Sequence, residues 1–426
     1  MRSLGLCVLL LAACSGGNST GNAKAADAGS SGGAIDAAGA ASPSMPVAQA
    51  PFQVQQLAEF DEPWALAFLP GTTDALVTEK KGHLQLWRAN GGSVEVAGVP
   101  KVAAGGQGGL LDVVLSPRYA SDHFVYLTYS EPGPGGSGLA LARGRLMLDG
   151  GPPRLDGVQV LWRQTPRGKG GQFGAIVAFA PDGNSLFLSS GERQRFTPAQ
   201  DPSQAVGKIL HLTLDGKPAP GNPEAGKTGA AIVLVTDPPE DTETAKNTPA
   251  RRLPVEGTNL TPAETWSSGH RNPYGLAFTP DGRLWETEMG PRGGDELNLI
   301  LPGRNYGWPI VSQGENYDGV PIAKHPSHPE FMPPKLFWVP SISPSSLMIY
   351  SGDLFPQWKG NGFIGALSGR ALIRITFDGD RAHKTEQWDM GTRIRFVAQG
   401  PDGAIYLLED GEKGSGGHLL KLIPKH

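Results

Sequence analysis

Cysteine is nearly absent. The chain of 426 residues holds 2, Cys7 and Cys14, both at its very start. Everything after residue 14 therefore lacks disulfides, thiolate nucleophiles and Cys-based metal sites, and must rest on an ordinary apolar core. Long apolar runs are missing too. The early run LGLCVLLL (4–11) is too short to span a bilayer as a helix. No charge sign dominates: Lys+Arg 37 against Asp+Glu 41 gives a net charge of -4. That excludes the strongly basic surface of a nucleic-acid binder. The 9 histidines show no metal-ligand spacing. There is no phosphate loop, no dinucleotide fingerprint after a first strand and no GxSxG elbow.

What is present begins with an export signal. Arg2 precedes the short apolar run, and Leu11-Ala12-Ala13-Cys14 then matches a bacterial lipobox. Residues 1–13 read as a lipoprotein signal peptide, with Cys14 lipidated and a membrane anchor through that lipid alone. Ser15, rather than Asp, follows the cysteine, so the expected address is the outer membrane, facing the periplasm. Residues 14–50 are rich in Gly, Ala and Ser and cannot bury enough apolar surface to fold. They read as a flexible tether to a folded domain over 51–426.

Gly 60 and Pro 38 imply many turns. One phrase recurs: an alternating apolar run, a turn of Pro-Asp-Gly type, then a second apolar run. It appears as WALAFLPGTTDALVTEK (64–80), LLDVVLSPRYASDHFVYLTYSE (110–131) and AIVAFAPDGNSLFLSSGE (175–192). It returns as YGLAFTPDGRLWETEMG (274–290), SLMIYSGDLFPQWKGNGFIGAL (346–367) and RFVAQGPDGAIYLLED (395–410). Period-2 alternation around a glycine-containing turn is a hairpin signal. A second phrase follows several copies, at 82–92, 207–216, 370–380 and 417–426, and reads as the outer strand of the same unit. Single hairpins cannot bury their faces, whereas radial stacking can. The expectation is an all-β, six-bladed β-propeller of four-stranded antiparallel blades, with little or no helix. Residues 217–262 are polar, Pro-rich and aperiodic, and are expected as a surface excursion between strands.

Propeller sites lie at the channel mouth, so glycine-flanked loops bearing charge come first. In EMGPRGGDELNLILPGRNYGWP (288–309), Gly290 and Pro291 with Gly293-Gly294 let carbonyls turn inward beside Asp295 and Glu296. Such oxygens suit calcium, although solvated acids on a plain turn are the other reading. Arg271-Asn272 suits a multiply oxygenated anion, or a salt-bridged loop. Arg393 and Arg395 alternate and so share one side of a strand, which asks for an anion or an acidic partner unless the strand end is solvated. Gln107 and Gln172 are polar residues in glycine-rich stretches before strands.

Taken together, PWALAFLP, GQGGLLDVVLSP, HRNPYGLAF, GPRGGDELNLI, NYGWP, FPQWKGNGFIGAL and RIRFVAQGPDG resemble the soluble glucose/sorbosone dehydrogenases, most closely their aldose sugar dehydrogenase branch. The resemblance covers residues 52–423. It implies oxidation of aldoses to lactones with pyrroloquinoline quinone (PQQ) and calcium, and electrons passed to a periplasmic acceptor. It implies that Gln107, Arg271, Asn272, Arg393 and Arg395 bind the cofactor. Gly290 and Pro291 would hold a catalytic calcium, and Asp295, Glu296 and Tyr306 a structural one.

Two positions depart from the pattern. The family's histidine base is matched by Gln172, and its pocket lysine by Ser368, with Arg370 as the nearest substitute. Glu192 matches the acid that supports the histidine. Three readings follow: a dehydrogenase in which Glu192, or a water held by Gln172, serves as the base beside a catalytic Arg271; a non-catalytic PQQ- or sugar-binding propeller; and a calcium-dependent lactonase.

Overall fold

The computed structural model describes residues 47–238, 248–411 and 417–425. Cys14 and most of the tether fall outside the described residues. The described chain forms six four-stranded antiparallel sheets, each built from the inside outward. The recurring hairpins are the two inner strands of every blade, for example Pro63–Phe68 with Ala75–Glu79 in blade 1. The inner strands pack on one another in order, and that of blade 6 meets that of blade 1, so the ring is closed.

The second phrase forms third strands, such as His83–Arg88 and His418–Pro424, rather than outermost ones. Outside them lie fourth strands that carry little apolar alternation, down to the three residues of Leu336–Trp338. In blade 6 the fourth strand comes from the other end of the domain. Phe52–Glu59 pairs antiparallel with His418–Pro424. The apolar cores lie between blades, because each sheet is apolar on both faces.

The 217–262 excursion falls between the third and fourth strands of blade 3. It is more structured than its composition suggests. Ile232–Val235 and Arg251–Pro254 make a two-stranded ribbon, with Val233 and Val235 buried. Among the described residues, helix is confined to single turns such as Tyr119–Asp122 and Thr261–Glu264.

Two repeated details build the channel mouth. One residue past the innermost pair of each hairpin, the N–H groups of Lys80, Ser130, Gly191, Met289, Leu367 and Asp410 donate inward. Their acceptors are the carbonyls of Glu62, Gly109, Phe173, Asn272, Ser343 and Arg393, at 2.9–3.1 Å. Just inside this ring every inner strand carries a bulge, as between Pro63 and Ala65, Pro273 and Gly275, and Ile394 and Phe396. A bulge re-aims the extra side chain. Here the extra residues are Trp64, Tyr274 and Arg395, and all three turn into the channel.

Candidate active site

Trp64 and Tyr274 come from opposite blades and meet edge to face at 5.8 Å. They floor a cavity of about 300 Å³ at the mouth, whose walls include Lys80, Gln107, Tyr317, Ser368, Arg393 and Arg395. Arg393 and Arg395 do share a side, and one acid serves both. Arg393 Nε lies 2.6 Å from Asp410 Oδ2, and Arg395 Nε 2.8 Å from Asp410 Oδ1. Burial pushes the Asp410 carboxyl up, but Arg395 and Arg393 outweigh burial and hold it below the usual range. Gln107 Oε1 accepts from the Gln172 main-chain N–H at 2.9 Å and from the Tyr274 hydroxyl at 3.3 Å. Ser368 lines the cavity and is tied to Ser343 Oγ at 2.8 Å. Arg370 is exposed and lies outside the cavity lining, because a left-handed turn (φ 46°) carries the chain away after Ser368.

Arg271, Gln172 and Glu192 form a chain of contacts beside this cavity. The Gln172 amide is assigned with nitrogen toward Glu192 and oxygen toward Arg271, since the reverse sets like against like. Its nitrogen then donates to Glu192 Oε1, and its oxygen accepts from Arg271 Nη2 at 2.8 Å. Glu192 is 1% exposed, and its other oxygen accepts the N–H groups of Arg195 and Phe196. Burial pushes the Glu192 carboxyl up, against the charge of Arg271. Arg271 also donates from Nη1 to the carbonyls of Met289 (3.0 Å) and Gly290 (2.7 Å). The side chain of Asn272 accepts from the Gly174 N–H at 3.2 Å.

The backbone here is strained. Gln172, Ala175, Arg193, Gln194 and Phe196 all have φ between 52° and 86°. Two buried arginines, which the sequence reading passed over, hold it so. Arg193 Nε donates to the carbonyls of Gly170 and Gly171 at 3.0 Å and lies over the Phe173 ring at 3.9 Å. Arg195 Nη1 donates to the Pro166 carbonyl at 2.9 Å. Their spacing in ERQRF, straight after a hairpin, was the available signal.

Below Arg271 lies an acidic pocket. Gly290 cannot carry a side chain, since a Cβ would fall 2.3 Å from the Gly294 carbonyl oxygen. Gly290, Glu288, Glu296 and Tyr306 border a cavity of about 10 Å³, the size of one water or ion. Pro291 is buried alongside. Asp295 is otherwise engaged. It accepts from the N–H groups of Gly290 (2.9 Å), Ile342 (2.6 Å) and Ser343 (2.7 Å) and from Ser341 Oγ (2.6 Å). It therefore braces the turn more than it faces the pocket. The Tyr306 phenol is spent on the Leu299 carbonyl and the Leu301 N–H, and its ring stacks on His270 at 4.8 Å. Glu286 and Glu288 bring further carboxylates together here, with His270 beside them. Burial, then the charge of Glu288, pushes Glu286 and Glu296 well above the usual carboxylate range. Glu286 Oε1 and Asn298 Oδ1 are buried without a partner.

The family model for glucose / sorbosone dehydrogenases matches residues 60–234 and 244–421. The aldose sugar dehydrogenase YliI of Escherichia coli (strain K12) is 38% identical over 376 residues, which is 86% of this chain and 91% of that protein. The apo crystal structure of the soluble aldose sugar dehydrogenase from Escherichia coli superposes with a TM-score of 0.74 at 37% identity, covering 88% of this chain and all of that one. The PQQ-bound aldose sugar dehydrogenase from Streptomyces coelicolor gives 0.66 at 28% identity, covering 88% of this chain and 98% of that one. With its cation-walled mouth, its Arg271 cluster and this extent of likeness, the chain belongs to the glucose/sorbosone dehydrogenase family and is a dehydrogenase-like oxidoreductase.

Proposed function

We propose that this protein oxidises aldose sugars to lactones with PQQ and calcium. The observation that carries the reading is the mouth cavity, where Arg393 and Arg395 converge beside Gln107, and whose Tyr317 hydroxyl accepts from Arg271 at 3.4 Å. Two guanidiniums on one wall fit a ligand bearing several carboxylates. Arg393, Arg395, Gln107, Asn272 and Ser368 would hold PQQ. For calcium the fit rests on oxygen chemistry. Crowded buried carboxylates need protons or a cation, and Glu286 Oε1 and Asn298 Oδ1 stand without partners. Glu286, Glu288 and Glu296 would hold a structural ion, and the Gly290 and Pro291 carbonyls a catalytic one.

When bound, the cofactor supplies the acceptor for a hydride from the sugar. The protein's own groups do the rest. Arg271, fixed by two carbonyls and the Gln172 amide, offers positive charge where negative charge develops. Gln172 spends one N–H on Glu192 and one lone pair on Arg271, which leaves one of each for a substrate hydroxyl. An amide orients that hydroxyl but does not take its proton near neutral pH. Glu192, sealed behind the amide, positions it, and water is the proton acceptor.

The same geometry favours a second reading, a PQQ- or sugar-binding propeller without turnover. The deciding experiment loads the protein with calcium and one equivalent of PQQ and follows its absorption as aldoses are added without oxygen. Reduction of the bound quinone supports the dehydrogenase. A bound but unreduced spectrum moves the assignment to binding. We place the protein at the cell envelope, held through Cys14, with a periplasmic electron acceptor. Fractionation of cells expressing Cys14→Ser, expected to release the protein from membranes, tests that address.

A further inference from the structure

Lys80 ends the first copy of the hairpin phrase (64–80) and carries no role read from the sequence, yet it lines the mouth cavity with Arg393 and Arg395. It occupies in blade 1 the ring position that Asp410 holds in the adjoining blade 6, since both N–H groups make the equivalent main-chain bond. Its ammonium lies 3.1 Å from the carbonyl of Gly106, next to Gln107. Only 7% of the residue is exposed. Burial, and then the charge of Arg395, depress the Lys80 ammonium, while Glu62 and Asp410 act the other way. An ammonium that shares a cavity wall with two guanidiniums is stabilised by an anion in that cavity, whatever protein groups also contact it.

We propose that Lys80 is a direct anchor for a carboxylate of the bound cofactor, a third cation beside Arg393 and Arg395. The inference rests on the PQQ reading above. Its test is a PQQ titration in calcium buffer, followed by absorbance and repeated over a series of salt concentrations. Lys80→Met is expected to raise Kd about tenfold or more and to flatten its salt dependence, because one charge contact is gone. Lys80→Arg, which keeps the charge, is expected to stay within about threefold of wild type. Lys80→Met with Ser368→Lys, which moves the ammonium to another wall of the same cavity, is expected to recover part of the lost affinity and slope. If Lys80→Met binds with wild-type Kd, or more weakly but with the wild-type salt slope, Lys80 is no cofactor contact and serves only to hold Gly106. Failure of the wild-type protein itself to bind PQQ overturns the parent reading, and this one with it.

Discussion

Gln172 lies between a carboxylate and a guanidinium, and its side chain touches both. That placement decides what a substitution there should do. The backbone is left-handed at φ 52°, which histidine tolerates better than most residues. An imidazole could keep a bond to Glu192 with one nitrogen and present the other as a lone pair. Gln172→His is therefore expected to raise kcat/KM for aldoses by about 10²-fold, the lower end of what a general base contributes. Steady-state kinetics on the loaded enzyme would measure it. An unchanged value would mean that another group already takes the proton. The departures at 172 and 368 were legible in the sequence, because a residue type is visible wherever its motif is. Partners were not. Asp295 looks like a ligand beside Glu296, and only three-dimensional packing reveals that Ser341, Ile342 and Ser343 occupy its carboxylate.

The hairpins were legible as elements because alternation and Gly-containing turns are local signals. The bulges were not, because neighbouring blades set them. In blade 1, Thr78 Oγ1 accepts the Ala65 N–H at 3.0 Å and donates to the Leu111 carbonyl of blade 2 at 2.6 Å. In blade 2, Thr128 Oγ1 accepts from Asp112 at 2.9 Å and donates to Ala175 of blade 3 at 2.7 Å. Ser189 repeats the pattern between Ile176 and Pro273, at 2.9 Å on both sides. One buried hydroxyl thus satisfies a bulge and joins two blades. Thr128→Val keeps the shape and strands a donor and an acceptor, so it should cost about 2 kcal/mol or more. Thr128→Ser should cost far less. Thermal unfolding of the pair separates the hydrogen bonds from the packing. The fourth strands escaped notice for a related reason. Three of them have only three or four residues, the longer ones are largely exposed or half-buried, and the long excursion separates that of blade 3 from its partner strand in sequence.

Closure is a property of the whole molecule. Blade 6 holds Arg393, Arg395 and Asp410, yet its outermost strand, Phe52–Glu59, is the first of the domain. No local sequence signal announces a pairing between residues so far apart, although a ring of blades demands some such joint. Phe52 is its apolar anchor. It is 2% exposed and meets Trp388 of blade 5 edge to face at 5.2 Å and Trp358 at 6.4 Å. Phe52→Ala should cost about 3–5 kcal/mol, the usual range for a buried Phe truncated to Ala. A lower Tm is the first readout. The second is specific to closure. If the strand frays, His418–Pro424 becomes an exposed edge, ready to pair with another chain. Phe52→Ala should therefore aggregate on warming at a lower temperature than Phe363→Ala, which removes a buried ring of the same size from blade 5 without opening the joint. Equal aggregation of the two variants would mean that the backbone ladder alone holds the ring shut.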